Sequence, residues 1–290
     1  MNKMLLKFSA AALGMAGVCL LSKKSRLMVY EYNVKSPKLP KEFEGFRIVH
    51  LSDIHCKRYG ENDSLLVKAC AELRPDIIVF TGDLYSRSCD MSFIISRLPL
   101  MEGLLKLAPV YYIRGNHESD IPEKADVMDK RLFELGVIVL RNENTSYYRG
   151  VSHIDIYGLE LPPHYYRTVE GSYKALPRLT PEGITRRLGK RSEDDFTVLL
   201  AHNPLYFESF AEWGADLVFS GHVHGGMVRI FDVGLFSPER TFFPRYTKGL
   251  YREGDSQMIL SAGLGKFRIN NPEMIAVCVL GRERSLSEAE

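Results

Sequence analysis

Residues 46–55 read FRIVHLSDIH and residues 77–83 read IIVFTGD. Each is a short apolar run that stops at an acidic residue. A run of this length, rich in β-branched side chains, is the pattern of a strand buried on both faces. The arrangement returns three times. Val110–Ile113 leads into Gly115-Asn116-His117-Glu118, residues 196–201 (FTVLLA) lead into His202-Asn203-Pro204, and Leu217–Ser220 leads into Gly221-His222-Val223-His224-Gly225-Gly226. Open α/β sheets bind ligands at the C-terminal ends of their strands. Five strand ends bearing Asp, Asn and His therefore mark a candidate site. Of eight histidines, His55, His117, His202, His222 and His224 lie in these loops, and His50, His153 and His164 lie elsewhere.

Between the strands, the spacing predicts helices over 62–73, with Asn62 or Asp63 as cap and Pro75 as stop, and over roughly 91–107. Further helices are expected over 125–135, with Gly136 as C-cap, and over 204–212, closed by Gly214. Additional strands are expected at 137–140, 227–231, 248–252, 257–262 and 274–280, with a loop-rich stretch over 160–192. Alternation first and strand-rich sequence later argues an α/β protein with more than one sheet. The organisation reads as an anchor over 1–30, a linker or lead-in strand over 31–45 containing Pro37 and Pro40, a domain over 46–281 and a polar tail over 282–290.

The chain has 290 residues, 45% hydrophobic and 26% charged, which excludes a disordered, collagen-like or multi-span membrane protein. Thirty-eight basic against 36 acidic residues gives +2, without the clustered basic footprint of a nucleic-acid binder, so no nucleic-acid partner is expected. Five cysteines, an odd number without a C-x-x-C pair, argue against a disulfide framework and a zinc-thiolate site. Residues 4–21 are apolar except for Lys7, Ser9 and the glycines, with Lys23, Lys24 and Arg26 following. That length is at the short end of the about 17–25 residues of a spanning helix. An uncleaved single-pass anchor in the cell membrane is the expectation, and a cleaved signal the alternative, although no A-x-A site ends the run. The flanking charges leave the membrane side open.

Singly, these motifs have bland readings: a loop-capping Asp, a G-D turn, a left-handed Asn. G-H-x-H-G-G is more specific, because residues two apart on an extended segment face the same way. Jointly, two carboxylates, several imidazoles and one amide oxygen suffice for two metal ions sharing a bridge. Carboxylate and imidazole donors without thiolate suit Mn, Fe, Zn or Mg. Two ions about 3.5–4 Å apart clamp the attacking and leaving oxygens of a phosphoryl displacement.

The series D-x-H, G-D, G-N-H-E, H-N-P and G-H-x-H-G resembles the calcineurin-like metallophosphoesterases over about 46–280. The tail Lys248-Gly249-Leu250-Tyr251, Ser261-Ala262-Gly263-Leu264-Gly265 and Asn271-Pro272-Glu273 looks like the membrane-anchored bacterial branch of that family. Some members of that branch hydrolyse UDP-2,3-diacylglucosamine, a lipid A precursor. The resemblance implies a four-layer α/β/β/α sandwich of two mixed β-sheets flanked by helices. It also implies two divalent ions, with Mn preferred. One would be held by Asp53, His55, Asp83 and His224, the other by Asp83, Asn116, His202 and His222, with Asp83 bridging. His117 would stand outside the ligand set, near the leaving group, with Glu118 orienting or charging it; a loop ion pair is the other reading of Glu118. Residues 82–88 lack the full G-D-x-x-D-R-G of serine/threonine phosphatases.

After the His-rich loop, Phe231, Phe236, Phe242, Phe243, Tyr246 and Tyr251 interleave with Arg240, Arg245 and Lys248. Core aromatics with solvated charges are one reading. The other is a wall beside the metals, with Arg240 and Arg245 binding substrate phosphate. The expected function is hydrolysis of a phosphodiester or pyrophosphate by a bound hydroxide, in its finer form on a lipid-linked substrate such as UDP-2,3-diacylglucosamine in lipid A biosynthesis. A phosphomonoesterase acting on protein or nucleotide, and a non-catalytic scaffold of the same fold, are the alternatives. Oligomeric state is not legible.

Overall fold

The buried apolar runs are strands in the computed structural model, which describes residues 27–168, 171–173, 175–230, 233–265 and 268–283. The chain begins with β1 (Leu27–Ser36), β2 (Arg47–Leu51), β3 (Ile77–Thr81), β4 (Val110–Ile113) and β5 (Ile138–Val139). There follow β6 (Glu143–Arg149), β7 (Ser152–Leu159), β8 (Thr197–Ala201) and β9 (Leu217–Ser220). A small pair, β10 (Val228–Ile230) and β11 (Val233–Phe236), precedes β12 (Gly249–Glu253), β13 (Ser256–Leu260) and β14 (Glu273–Arg282).

Two six-stranded sheets result, in the orders β1-β14-β2-β3-β4-β5 and β12-β13-β9-β8-β7-β6. Both are mixed. β2, β3, β4 and β5 run parallel, while β14 is antiparallel to β2 and parallel to β1. In the second sheet β13, β9, β8 and β7 run parallel, with β12 and β6 antiparallel at the edges.

The period-two alternation of each strand divides its side chains between two layers. Ile48, Val79, Tyr111 and Ile113 meet Ile156, Val198, Leu200 and Phe219 between the sheets. Val49, Leu51, Phe80 and Tyr112 face outward onto α1 (Ser64–Glu72), α2 (Met91–Ile95), α3 (Leu98–Leu105) and, beyond the short α4 (Asn116–Ser119), α5 (Pro122–Leu135). Leu199, Val218 and Leu260 face α6 (Pro181–Leu188) and α7 (Phe207–Trp213) through Ile184, Leu188, Phe207, Phe210 and Trp213. This is the expected four-layer α/β/β/α sandwich. Each fully buried Leu, Ile or Phe contributes ~1.5–3 kcal/mol to holding the layers together.

Several local expectations change. Residues 27–36, read as the end of an anchor and the start of a linker or lead-in strand, form the strand β1, because Tyr30, Tyr32 and Val34 alternate inward and its backbone pairs in parallel with β14. The helix expected over 91–107 breaks into α2 and α3. Pro99, in the first turn of α3, has no N–H to continue the ladder. The loop-rich 160–192 contains α6, begun by Pro181 and capped by the Thr180 side chain, which accepts from Gly183 N at 3.2 Å. Asp63 sits at the N-cap of α1, but its carboxylate accepts from Tyr59 N at 2.7 Å and from Arg97 Nη1 at 2.9 Å instead of the helix. The anchor expected within residues 1–30 lies outside the described residues up to residue 26. Among those described, no helix is long and apolar enough to cross a membrane.

Candidate metal centre

β2, β3 and β4 are neighbours in one sheet, and β8 and β9 are neighbours in the other. Stacking the sheets brings their C-terminal loops together. The loops are laced by their backbones: Asp53 N donates to Gly82 O at 3.0 Å, His55 N to Asp83 O at 3.0 Å, and Gly221 N to His202 O at 3.0 Å. Two glycines make the approach feasible. A Cβ on Gly221 would collide with Ser52 and the Asp53 carboxylate, and one on Gly115 with the Asp83 carboxylate. Asp53, His55, Asp83, His222 and His224 all have left-handed backbone, with φ of 53°, 51°, 55°, 72° and 49°. Such conformations cost of order 1–3 kcal/mol each in non-glycine residues and cluster where function requires a particular aim.

The side chains converge. Asp83 Oδ2 lies 3.4 Å from His202 Nε2, 3.7 Å from His55 Nε2 and 3.9 Å from His117 Nε2. Asp53 Oδ1 lies 3.8 Å from His224 Nδ1 and 4.0 Å from both His55 Nε2 and His202 Nε2. His55 and His224 approach at 3.4 Å between Nε2 atoms, and Asn116 Oδ1 lies 3.1 Å from His202 Nε2. At these strand ends, three triads have ligand atoms close enough to share an ion: Asp53-His55-His224, Asp53-Asp83-His202 and His55-Asp83-His117. Asp53, His55 and Asp83 each belong to two of them. The donor chemistry fits hard or borderline divalent cations, and a buried nitrogen of His224, Nδ1, has no hydrogen-bond partner within the protein.

Burial alone would push both carboxyls up. The imidazoles of His224 and His202 more than offset this at Asp53, and those of His202 and His117 at Asp83, so both are held low. His202 is raised to about 9: burial lowers it, but Asp83 and then Asp53 outweigh that. His224 is driven down to about 3 by burial.

Second contacts orient the candidate ligands. His202 Nδ1 pairs with Thr81 O at 2.6 Å, and Asn271 Nδ2 donates to His224 O at 2.6 Å. A Cβ on Gly263 would press on Asp53, so the glycine-containing tail segment packs directly beneath the site. His222 differs from its expected placement. Its Nε2 faces Glu239 Oε1 at 3.0 Å, it belongs to none of the three triads, and its ring lies 5.2 Å from that of His202. Glu239 is buried and held low, with the neighbouring His222 overcoming desolvation. A carboxylate on the distal nitrogen of a histidine fixes its ring and raises its basicity as a ligand.

His117 and Glu118 part company. The His117 ring lies 4.7 Å from that of His55, and its Nδ1 accepts the Arg87 N–H at 3.0 Å. Burial lowers its pKa to about 4 despite the pull of Asp83. Glu118 does not orient it. The Glu118 carboxylate turns inward and accepts from Leu84 N at 2.7 Å, Asp83 N at 2.9 Å and Gly115 N at 3.0 Å. It staples the two loops that carry Asp83 and Asn116. Adjacent residues on the one-turn helix α4 point to different sides, which excludes the contact expected from sequence adjacency.

The cationic groups at the site are also not those expected. Arg245 is drawn to Glu208 and Glu253 and packs over Tyr246, and Arg240 is exposed on the turn after Glu239; neither lines the metal cleft. Arg87 and Arg167 line it instead, and both pair with Asp120, Arg167 at 2.6 Å. Of the aromatic run, Tyr246 and Tyr251 pack with the outer core, Phe242 and Phe243 are 72% and 71% exposed, and Phe231 lies outside the described residues. Arg87 was visible within the 82–88 motif. Arg167 and Glu239 carried no sequence signal, because nothing in their local spacing ties them to the site.

Residues 46–226 match the sequence model of the calcineurin-like phosphoesterase family. The chain is 29% identical over 244 residues to the uncharacterized metallophosphoesterase YkuE of Bacillus subtilis (strain 168), covering 82% of this chain and 79% of that protein. It is 28% identical over 228 residues to the phosphodiesterase YaeI of Escherichia coli (strain K12), covering 76% and 75%. The protein TT1561 of Thermus thermophilus superposes with a TM-score of 0.48 at 14% identity, covering 76% of this chain and 90% of that one. The chain belongs to the calcineurin-like phosphoesterase family and is a phosphoester hydrolase.

Proposed function

We propose that this family member cleaves a phosphodiester or pyrophosphate bond at a two-metal centre. Asp53, His55, Asp83 and His224 would hold one divalent ion, Mn2+ by preference, and Asp83, Asn116, His202 and His222 the other. The observation that carries this reading is the position of Asp83, whose Oδ2 lies between His55 and His202 at 3.7 and 3.4 Å. When bound, such an ion pair supplies Lewis-acid stabilisation of phosphoryl charge and a nucleophile at neutral pH.

The chain's own residues do the rest. His117 Nδ1 accepts the Arg87 N–H, so the neutral ring carries its proton on Nε2, the nitrogen on the Asp83 side. That N–H donates to the leaving-group oxygen as charge builds there. Arg87 and Arg167, held by Asp120, bind non-bridging phosphate oxygens in the role first expected of Arg240 and Arg245. The name of the relative YaeI, a phosphodiesterase, supports a diester substrate.

A lipid-linked substrate and attachment to a membrane through the N-terminal segment are the finer form of the proposal. Support comes from the apolar Met227 and Pro238 in the cleft wall and from exposed Phe242 and Phe243 on the segment that follows. The test is turnover by manganese-loaded protein of bis-p-nitrophenyl phosphate, p-nitrophenyl phosphate and UDP-2,3-diacylglucosamine, with metal counted by elemental analysis. Diester turnover above monoester turnover, with two ions per chain, is expected. A preference for the monoester would move the reading to a phosphatase, and turnover of model diesters without the lipid nucleotide would remove the lipid-linked form.

A further inference from the structure

Cys56 and Cys89 are separated by 33 positions in the chain, yet their Sγ atoms lie 3.1 Å apart. They sit in different loops, one following β2 and the other following β3. Both are free thiols, and the other described cysteines, Cys70 and Cys278, are fully buried in apolar core. Cys56 is half-buried and lines a cleft of about 370 Å³ together with His55, Ser86, His117 and His224, while Cys89 lies behind it at 7% exposure. We propose that Cys56 and Cys89 are a peroxide-oxidised modification site that forms a reversible disulfide beside the metal centre. The proposal rests on the reading of His55 as a metal ligand only for its effect on turnover.

The chemistry balances with a hydroperoxide as oxidant. The Cys56 sulfur, open to the cleft, attacks one peroxide oxygen; the O–O bond breaks, Cys56 becomes a sulfenic acid and water leaves. Cys89 sulfur then attacks the Cys56 sulfur, the S–S bond forms, and the sulfenic oxygen departs as a second water with the Cys89 proton. Two thiols and one hydrogen peroxide give one disulfide and two waters. A dithiol reductant reverses the step by exchange.

Both loops are rigidly held. Cys89 N donates to Ser86 O at 2.9 Å, the next residue, Asp90, caps α2 by accepting from Phe93 N at 2.8 Å, and Lys124 Nζ donates to Cys89 O at 2.9 Å. On the other side Arg97 Nη2 donates to the carbonyls of His55 and Lys57, the residues that bracket Cys56. A disulfide needs sulfurs about 2.05 Å apart, so closure draws the two loops together by about 1 Å. His55, adjacent to Cys56 and already at φ 51°, absorbs that shift, and its aim toward Asp83 changes.

The experiment treats the full-length, manganese-loaded protein with hydrogen peroxide and reads intact mass, cross-linked peptides, metal content and turnover. The expected result is a loss of two mass units, a Cys56–Cys89 peptide pair, and a fall in turnover or bound metal of about tenfold, as for displaced ligand-orienting groups, all restored by dithiothreitol. The variant Cys89→Ser should turn over normally when reduced, form no cross-link and gain oxygen mass at Cys56. Oxygen addition to the wild type without the cross-link overturns the proposal, as does a cross-link that leaves turnover and metal content unchanged. If the hydrolase reading were wrong, turnover would be absent in both redox states while mass and metal content still judged the cysteine pair.

Discussion

The backbone N–H of Arg87 donates to Nδ1 of His117 at 3.0 Å. This bond fixes the tautomer: a neutral His117 holds its proton on Nε2, and protonating the ring fully requires that Nδ1 give up the Arg87 bond. The imidazolium supported by Glu118 that sequence adjacency suggested is therefore replaced by a neutral donor held by the chain itself.

His117→Asn is expected to retain both metals and lose turnover by about 10²–10⁴-fold, the range for loss of a positioned proton donor. The loss should be steeper for esters with basic leaving groups than for nitrophenyl esters, whose anion departs without a proton. Elemental analysis alongside a leaving-group series checks this. A lost metal would instead make His117 a ligand, in line with its membership of the His55-Asp83-His117 triad.

Asp83→Asn should harm the centre more than Asn116→Asp. A carboxylate shared by two cations offsets charge that a neutral amide cannot, whereas the reverse change keeps an oxygen ligand and adds charge. Metal stoichiometry and turnover of the two variants, measured together, decide it; two bound ions and full activity in Asp83→Asn would sink the bridging role.

Glu118→Ala should destabilise the fold and not merely slow it. Four buried backbone N–H groups, those of Asp83, Leu84, Tyr85 and Gly115, lose their acceptor, at ~1–3 kcal/mol for each left unsatisfied. Chemical denaturation should show a loss of at least ~3 kcal/mol. A change below ~1 kcal/mol would mean that the staple is dispensable.

Glu239→Gln should weaken binding of one metal ion by about 10–100-fold through loss of the charge that orients His222, with the fold intact. Competition with a chelator measures it. Unchanged affinity for both ions would confine Glu239 to packing.

His50 supplies a pH dependence that can be read on metal-free protein. It is fully buried between the sheets, its Nε2 2.7 Å from Thr81 Oγ1, and burial drives its pKa from 6.5 to about 3. The unfolded state then binds the extra proton between these values, so stability is intact above pH 6.5 and falls as pH drops toward 3. The slope from one such group is up to ~1.4 kcal/mol per pH unit. Urea unfolding of metal-free protein across this range should show a shallower slope in His50→Gln than in wild type; equal slopes would refute the assignment.

The architecture and the candidate ligand set were legible in the sequence because both are written locally. A buried strand is a contiguous apolar run, and a ligand at its end is the next few residues. Asp53, His55, Asp83, Asn116, His202, His222 and His224 could all be picked out that way. Sheet order was not written there: β14 enters between β1 and β2, a pairing of distant segments.

What depended on contacts between distant segments was not legible. β1 was readable only as the edge of an anchor followed by a linker or lead-in strand, because its inward alternation has meaning only once β14, about 245 positions later, lies beside it. Glu118 stands next to His117 in sequence and faces the opposite way, since one helical turn separates adjacent side chains by about 100°. Arg87 and Arg167, Glu239 and His222, and Cys56 and Cys89 meet across 80, 17 and 33 positions of chain. Composition and periodicity record what a residue does for its own strand or helix. Which carboxylate meets which histidine, which arginines line the cleft and which thiols touch are set by how two sheets stack, and only the tertiary structure decided them.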